Sequence, residues 1–481
     1  MGSACSRKRG QLLVDEEDLY SARFSKSSSF KWLLHTLPRS GSDVHRKVQG
    51  SVPGRCPSLM ELCVAKVREV FNELVEWNIL TEELLEAFRD CALQDICLAD
   101  YPGVRDAWME VVASQGQSLL SVDISCSDVT DGGLNQLKDC INLQSLSCNY
   151  CDQISEHGLK TLSGLSNVTS LSFKKCAAVT AEGAKAFANM VNLGSLDLER
   201  CPKIHGGLVH LKGLRKLEKL NLRYCNGITD SDMKHLSGLS KLAHLNLEGC
   251  AVTAACLERK IVKCGVYDEG CEHLEGLVKL KVLNLGFNYI TDACLVHLKE
   301  LINLECLNLD SCKIGDEGLA HLKGLLKLRS LELSDTEVGS NGLHHLSGLT
   351  GLTHLDLFGA RITDAGTNCL KYFKNLQSLE VCGGFITDAG VKNIKDLKAL
   401  KLLNLSQNGS LTDKSLELIS GLTALVSLNV SNSRVSNSGL HHLKPLQNLR
   451  SLSLESCKVT AIEIKKLQLA ALPNLVSVRP E

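Results

Sequence analysis

Four histidines, His273, His297, His321 and His345, recur at 24-residue steps, a regularity that invites a shared zinc site. Zinc needs ligand atoms at about 2 Å, whereas residues one repeat apart on adjacent helices sit roughly 8–10 Å apart. The series therefore reads as one helix position copied by duplication. Cysteine is the second reactive type, with 22 in the chain. Cys151, Cys176, Cys201, Cys225, Cys250, Cys312 and Cys457 share one register, and Asn288, Asn408, Thr336, Ala360 and Ser433 take the same slot. A thiol and an amide share a small side chain that can hydrogen-bond turning backbone. The slot thus predicts reduced, structural cysteines in an intracellular protein, not a disulfide framework. No phosphate-binding loop, His-Glu-x-x-His or paired Cys-x-x-Cys pattern occurs, and no nucleophile has a base placed for it. The expectation is a non-enzyme with no cofactor and no metal.

The frame carrying these residues is a repeat. Leu193-x-x-Leu196-x-Leu198, Leu217-x-x-Leu220-x-Leu222 and Leu304-x-x-Leu307-x-Leu309 are clear copies. Their middle residues belong to the series Val122, Leu146, Leu171, Leu196, Leu220, Leu245, Leu283, Leu307, Leu331, Leu355, Leu379, Leu403, Leu428, Leu452 and Val478, with nearly every step 24 to 26 residues. Alternation within each copy predicts a short strand with leucines inward. A turn follows, as in Ile386-Thr387-Asp388-x-Gly390, where Thr or Asp can accept from the free amides of a starting helix. Gly318-Leu319-x-x-Leu322-x-x-Leu325 then has helical spacing. One such unit cannot bury its own apolar face, so stacking must create the core. The fold class predicted is α/β, a right-handed leucine-rich-repeat solenoid (horseshoe) with a parallel concave sheet, outer helices and a helical N-terminal cap.

A stacked array offers a long surface and no preformed catalytic pocket, so protein–protein interaction is the expected function. Outward strand positions supply the candidate surface: Asp197, Glu199, Asn221, Arg223, Asn246, Glu248, Asn308, Asp310, Glu332, Asp356, Phe358 and Glu380. The set is polar and leans acidic, with Arg223 and Phe358 as anchors of the type enriched at interfaces.

One step breaks the period, since Leu245 and Leu283 are 38 residues apart. Two post-strand signatures fall inside it, around Val252 and Val266, which lie 14 apart where 24 is regular. Residues 251–270 are therefore expected to be a truncated repeat that weakens the stack locally.

The chain divides into 1–57, 58–118 and 119–481. The start, Met1-Gly2-Ser3-Ala4-Cys5-Ser6 followed by Arg7-Lys8-Arg9, fits N-myristoylation at Gly2 with Cys5 as a palmitoyl acceptor and a basic triplet suited to an anionic leaflet. Residues 10–57, rich in serine and carrying Pro38, Pro53 and Pro57, read as a linker. From Ser58 the spacing becomes helical, and Thr81 is placed to cap a second helix ending near Cys91. Net charge is −1, which favours no nucleic-acid partner. No apolar run approaches the roughly 18 residues of a membrane span, and no secretory signal is evident. The expected location is intracellular, in the cytoplasm or on the cytoplasmic face of the plasma membrane.

The motif Leu-x-x-Leu-x-Leu-x-x-Cys-x-x-Ile-Thr-Asp-x-Gly resembles the cysteine-containing leucine-rich repeat of F-box proteins. The whole chain looks like a plant F-box/leucine-rich-repeat-like protein. That resemblance implies a substrate receptor of a Skp–cullin–F-box ubiquitin ligase, acting in ubiquitin-dependent catabolism, with a protein substrate on the concave face. Val70, Phe71 and Leu74, followed by Leu84, Leu85 and Phe88, resemble the latter part of an F-box and are the implied adaptor contacts. The family's opening Leu-Pro stretch is absent before them. The alternative is a membrane-tethered scaffold with no ubiquitin role.

Overall fold

A computed structural model describes residues 59–76, 78–250, 267–383 and 385–479. Gly2, Cys5 and the whole 1–57 segment lie outside them. Among the described residues one parallel sheet holds sixteen strands in chain order. They are β1 (Asp95–Cys97), β2 (Ser121–Asp123), β3 (Ser145–Ser147), β4 (Ser170–Ser172), β5 (Ser195–Asp197), β6 (Lys219–Asn221), β7 (His244–Asn246) and β8 (Val282–Asn284). The second half comprises β9 (Cys306–Asn308), β10 (Ser330–Glu332), β11 (His354–Asp356), β12 (Ser378–Glu380), β13 (Leu402–Asn404), β14 (Ser427–Asn429), β15 (Ser451–Ser453) and β16 (Ser477–Arg479). Short α- or 3-10 helices connect them, so the fold is the expected leucine-rich-repeat solenoid. Every marker from Val122 to Val478 is the central residue of its strand and pairs with the next marker, as in Leu196↔Leu220 and Leu355↔Leu379. The leucine spine is closed to solvent: Leu193, Leu198, Leu217, Leu222, Leu304 and Leu309 are fully buried.

The sheet starts one coil earlier than the repeat pattern indicates. Ile96 pairs with Val122, so β1 and the helix α3 (Asp106–Ser114) form a coil inside the stretch read as a cap. Before them come α1 (Leu59–Glu76) and α2 (Glu82–Glu86). Thr81 caps α2 by accepting from Leu84 N at 3.2 Å, and the helix stops at Glu86, short of Cys91.

The Thr-Asp-x-Gly turn has a division of labour. Threonine caps its own helix: the side chains of Thr130, Thr291, Thr387 and Thr412 accept from amides two residues on. Aspartate reaches into the next coil. Asp268 accepts from Thr291 N (2.8 Å) and Oγ1 (2.7 Å), and Asp364 does the same with Thr387 (2.8 and 2.7 Å). The glycine makes room for that carboxylate. A Cβ on Gly158, Gly318 or Gly439 would lie 2.3 Å from Oδ1 of Asp131, Asp292 or Asp413 respectively.

The cysteine slot is structural, as the hydrogen-bonding argument predicts. Cys201 Sγ donates to Phe173 O at 3.0 Å, Cys225 to Leu198 O at 3.0 Å and Cys250 to Leu222 O at 3.1 Å. Asn288 and Asn408 make the equivalent bonds, to Leu247 O and Val381 O, each at 2.8 Å. Burial pushes the Cys201 and Cys250 thiols up to about 12, which works against their acting as nucleophiles.

The expectation of uniformly reduced thiols needs one correction. Cys271 and Cys294 form a disulfide with Cα atoms 5.4 Å apart. Cys294 stands in the glycine slot of its coil, and Cys271 in the leucine slot that follows the glycine of the preceding coil. Those two slots face each other, since a Cβ on Gly318 would come 2.9 Å from Leu295 Cδ1. Two cysteines placed there in successive coils are therefore in bonding range.

The break in period leaves the sheet intact. β7 pairs directly with β8, Leu245 opposite Leu283, and Leu247 N donates to Asn284 O at 2.9 Å. Tyr267 N donates to Asp230 Oδ1 at 2.9 Å, the bond that Thr makes elsewhere. The second signature thus completes the coil begun by β7. Residues 251–266, on which the expected local weakening falls, lie outside the described part.

A candidate partner-binding face

The outward positions of the strands divide into those that hold the coil and those that offer contacts. Asn or Asp directly after the marker turns its side-chain oxygen back on its own chain. Asp197, Asn221, Asn246, Asn308 and Asp356 accept from the amides of Glu199 (3.1 Å), Arg223 (3.1 Å), Glu248 (3.0 Å), Asp310 (2.7 Å) and Phe358 (2.9 Å). This is a local turn bond made by short polar side chains. It explains the Asn/Asp preference without a partner.

From β4 to β8 the remaining groups join into one network. Lys174 Nζ is 3.1 Å from Asp197 and 3.3 Å from Glu199. Arg223 lies 3.3 Å from Glu199 and 2.8 Å from Glu248, with its guanidinium 4.5 Å from the Tyr224 ring centroid. Asn221 Nδ2 donates to Asp197 at 2.9 Å and Asn284 Nδ2 to Glu248 at 2.8 Å. Burial works against the charge on Arg223, but the Glu248 carboxylate outweighs it and raises the guanidinium pKa. Burial, followed by the nearby Glu248 charge, pushes the Tyr224 hydroxyl up to about 12. Arg223 is therefore tied into the sheet, where sequence reasoning made it an anchor.

Further along, acidic groups accumulate. Asn308, Asp310, Glu332 and Asp356 are buried on β9–β11 and at their exits, while Phe358 and Glu380 are half-buried. Burial, with help from Asp356, Asp335 and Glu248, pushes the Asp310 carboxyl up to about 7. No strand from β7 to β15 carries lysine or arginine at its two outward positions.

Sequence reasoning missed the residue four after each marker. It adopts positive φ in coil after coil, with Tyr150, Lys175, Arg200 and Tyr224 at +58°, +51°, +59° and +54°. Tyr150 is 44 % exposed. The signal was present in the sequence as the position just before the cysteine slot, where Gly249, Gly359 and Gly383 stand in three coils.

The adaptor candidates separate by burial. Phe71, Leu85 and Phe88 are core residues, with the Phe71 and Phe88 rings 5.2 Å apart edge to face. Leu74 is packed partly against them. Val70 and Leu84 are exposed, as is Ile79. Of the histidine series, His297 pairs with Glu275 at 2.7 Å and His273 lies 3.6 Å from Glu272. Among the described residues no three His, Cys, Asp or Glu side chains gather as metal ligands, and no helix is long and apolar enough to cross a membrane.

Leucine-rich repeat family models match residues 374–435 and, separately, 213–237, 300–322 and 349–370. The chain thus carries leucine-rich repeats, a scaffold that is typically non-catalytic and serves as a protein-interaction module. A leucine-rich-repeat protein of Leptospira interrogans is similar at 18 % identity and TM-score 0.51, over 76 % of this chain and 91 % of that one. An internalin of Listeria monocytogenes is similar at 20 % identity and TM-score 0.48, over 88 % and 97 %. At these identities the likeness is one of fold. No curated protein matches the chain.

Proposed function

We propose that the protein is a non-catalytic recognition subunit, a substrate receptor of a Skp–cullin–F-box type ubiquitin ligase. In this reading the concave face holds a target protein while α1 and α2 dock a Skp-type adaptor. The observation that carries it is the split among the apolar side chains ahead of the first coil. Phe71, Leu85 and Phe88 are consumed by the core, yet Val70, Ile79 and Leu84 remain on the surface, where a helical adaptor can cover them. The test is co-purification of Skp and cullin with the intact chain and with a Val70→Asp/Leu84→Asp variant. Capture by the wild type and loss in a variant of unchanged melting temperature is the expected result. Failure of the intact chain to bind Skp removes the proposal.

A second reading rests on Gly2, Cys5 and Arg7-Lys8-Arg9: a membrane-tethered scaffold using the same face without ubiquitin. Stable anchoring takes two such signals. Membrane fractionation of wild type against Gly2→Ala tests it, and equal membrane content in both excludes it.

A further inference from the structure

The parallel register places the segments that lead into successive strands along one edge of the sheet. Strands β7 to β15 carry no lysine or arginine at their two outward positions, yet this edge collects them. The segments 275–281, 299–305, 323–329, 347–353, 371–377 and 395–401, ahead of β8 to β13, hold eleven Lys or Arg and four Asp or Glu. Two of those acids are already engaged, Glu275 by His297 at 2.7 Å and Glu305 by Lys281 at 3.1 Å. Lys279, Arg329, Lys374 and Lys401 are exposed and, among the described residues, form no ion pair. The opposite edge is where the stapling aspartates Asp292, Asp364 and Asp388 stand. A net charge of −1 thus conceals a solenoid with one basic edge.

The same edge exposes aliphatic side chains. Val278, Ile302 and Leu326 occupy one slot, five residues before the marker, in three successive coils, and are 49 %, 55 % and 66 % exposed. Strand spacing of about 4.8 Å sets them in a row about 10 Å long. Lys279 and Lys327 directly follow the first and the last of them. The cations keep no common slot, falling two, four, five or eight residues before the marker. A partner with fixed carboxylates or phosphates meets a different pattern at each coil, whereas a fluid anionic surface accommodates them all. Aliphatic side chains offer no ring for a base to stack on, but they do enter the headgroup region of a bilayer. We propose that this edge docks the solenoid on an anionic bilayer. Val278, Ile302 and Leu326 lie among the headgroups, and Lys279, Lys327, Arg329 and the cations beyond them hold anionic lipid. This inference goes beyond both readings above, because it requires neither an adaptor nor an acyl chain.

The test is vesicle co-sedimentation of the full chain carrying Gly2→Ala, so that no acyl group contributes. The vesicles are phosphatidylcholine with or without about 30 % phosphatidylserine. Binding is expected with phosphatidylserine only, and weaker at higher salt because exposed charges are screened. Lys279→Glu/Arg329→Glu/Lys401→Glu is expected to lower the partition coefficient at least about tenfold. Ile302→Ser/Leu326→Ser, which leaves the charge unchanged, should lower it by about three- to tenfold. Lys313→Glu/Arg361→Glu/Arg434→Glu supplies the control, the same charge change at exposed residues that follow their strands on the opposite edge. It should lower partition by less than about twofold. No binding to phosphatidylserine vesicles, equal loss in both triple variants, or tighter binding to an RNA oligonucleotide overturns the proposal. So does a dimer in solution that Leu326→Ser abolishes. Skp capture and acyl-dependent fractionation are read separately, so each proposal can fail alone.

Discussion

The Asp388 carboxylate holds the next coil's Thr412 at two points, accepting from its amide at 3.0 Å and its hydroxyl at 2.6 Å. Ser415 of the same coil also donates to it. Threonine caps its own helix, so one side chain organises the start of a helix it does not belong to. The solenoid is stapled along its helical edge by this ladder.

Removing that staple should destabilise the stack. Asp388→Ala is expected to cost about 2 kcal/mol, from lost charge-assisted hydrogen bonds and donors left without an acceptor. The measure is urea unfolding, with a lowered midpoint and an unchanged slope. A midpoint equal to wild type would show that the ladder contributes nothing.

The same carboxylates make the fold acid-labile. Burial acts to raise Asp388 and Asp413, but hydrogen bonds from Ser415 and Thr412 to the first, and from Ser436 and Ser438 to the second, outweigh it and hold both below the usual range. A depressed folded pKa contributes stability above the unfolded value of about 3.9, and that stability is lost as pH falls through the folded value. Melting temperature should therefore drop below about pH 4, less steeply in Asp388→Asn.

Glycine substitutions should divide by what they face. At Gly318 a Cβ would meet Asp292 Oδ1 at 2.3 Å, whereas at Gly324 nothing lies within 4 Å. Gly318→Ala is expected to lose about 2–3 kcal/mol by overpacking. Gly324→Ala should be neutral or gain about 0.5 kcal/mol through unfolded-state entropy. Paired thermal melts decide it, and equal losses at both positions would count against the packing account.

Reductant should lower the melting temperature of the wild type, because the Cys271–Cys294 bond closes a loop of separation 23, worth about 3 kcal/mol in the chain-entropy account. Cys271→Leu/Cys294→Gly restores the residues usual in those slots. Its melting temperature should not respond to reductant, and an identical response in both proteins would exclude the bond.

Lys175→Gly should gain stability by about 0.5–1 kcal/mol by releasing a left-handed backbone angle from its Cβ. A loss of stability would mean that the side chain, not the turn, dominates at this corner.

Periodicity alone determined the strand positions, the inward leucines and the role of the cysteine slot, because a repeating unit meets the same neighbours in every copy. Val122 through Val478 could be numbered before any coordinates, and so could the equivalence of Cys201 with Asn288. What copies do to one another was not legible. That Asp388 serves Thr412, that Cys294 meets Cys271, and that Arg223 is locked by Glu199 and Glu248 are relations between coils, set by spacing across the stack. The coil at β1 escaped detection although Leu93 and Leu98 frame Ile96 as in later copies, because Tyr101 takes the cysteine slot and Arg105 and Trp108 replace the Thr and Gly of the following turn. The left-handed turn at Tyr150, Lys175, Arg200 and Tyr224 was marked in the sequence only by the glycines that stand at the same place in other coils. Sequence order decides which residues lie one repeat apart, but the stacked coil decides which of their atoms touch.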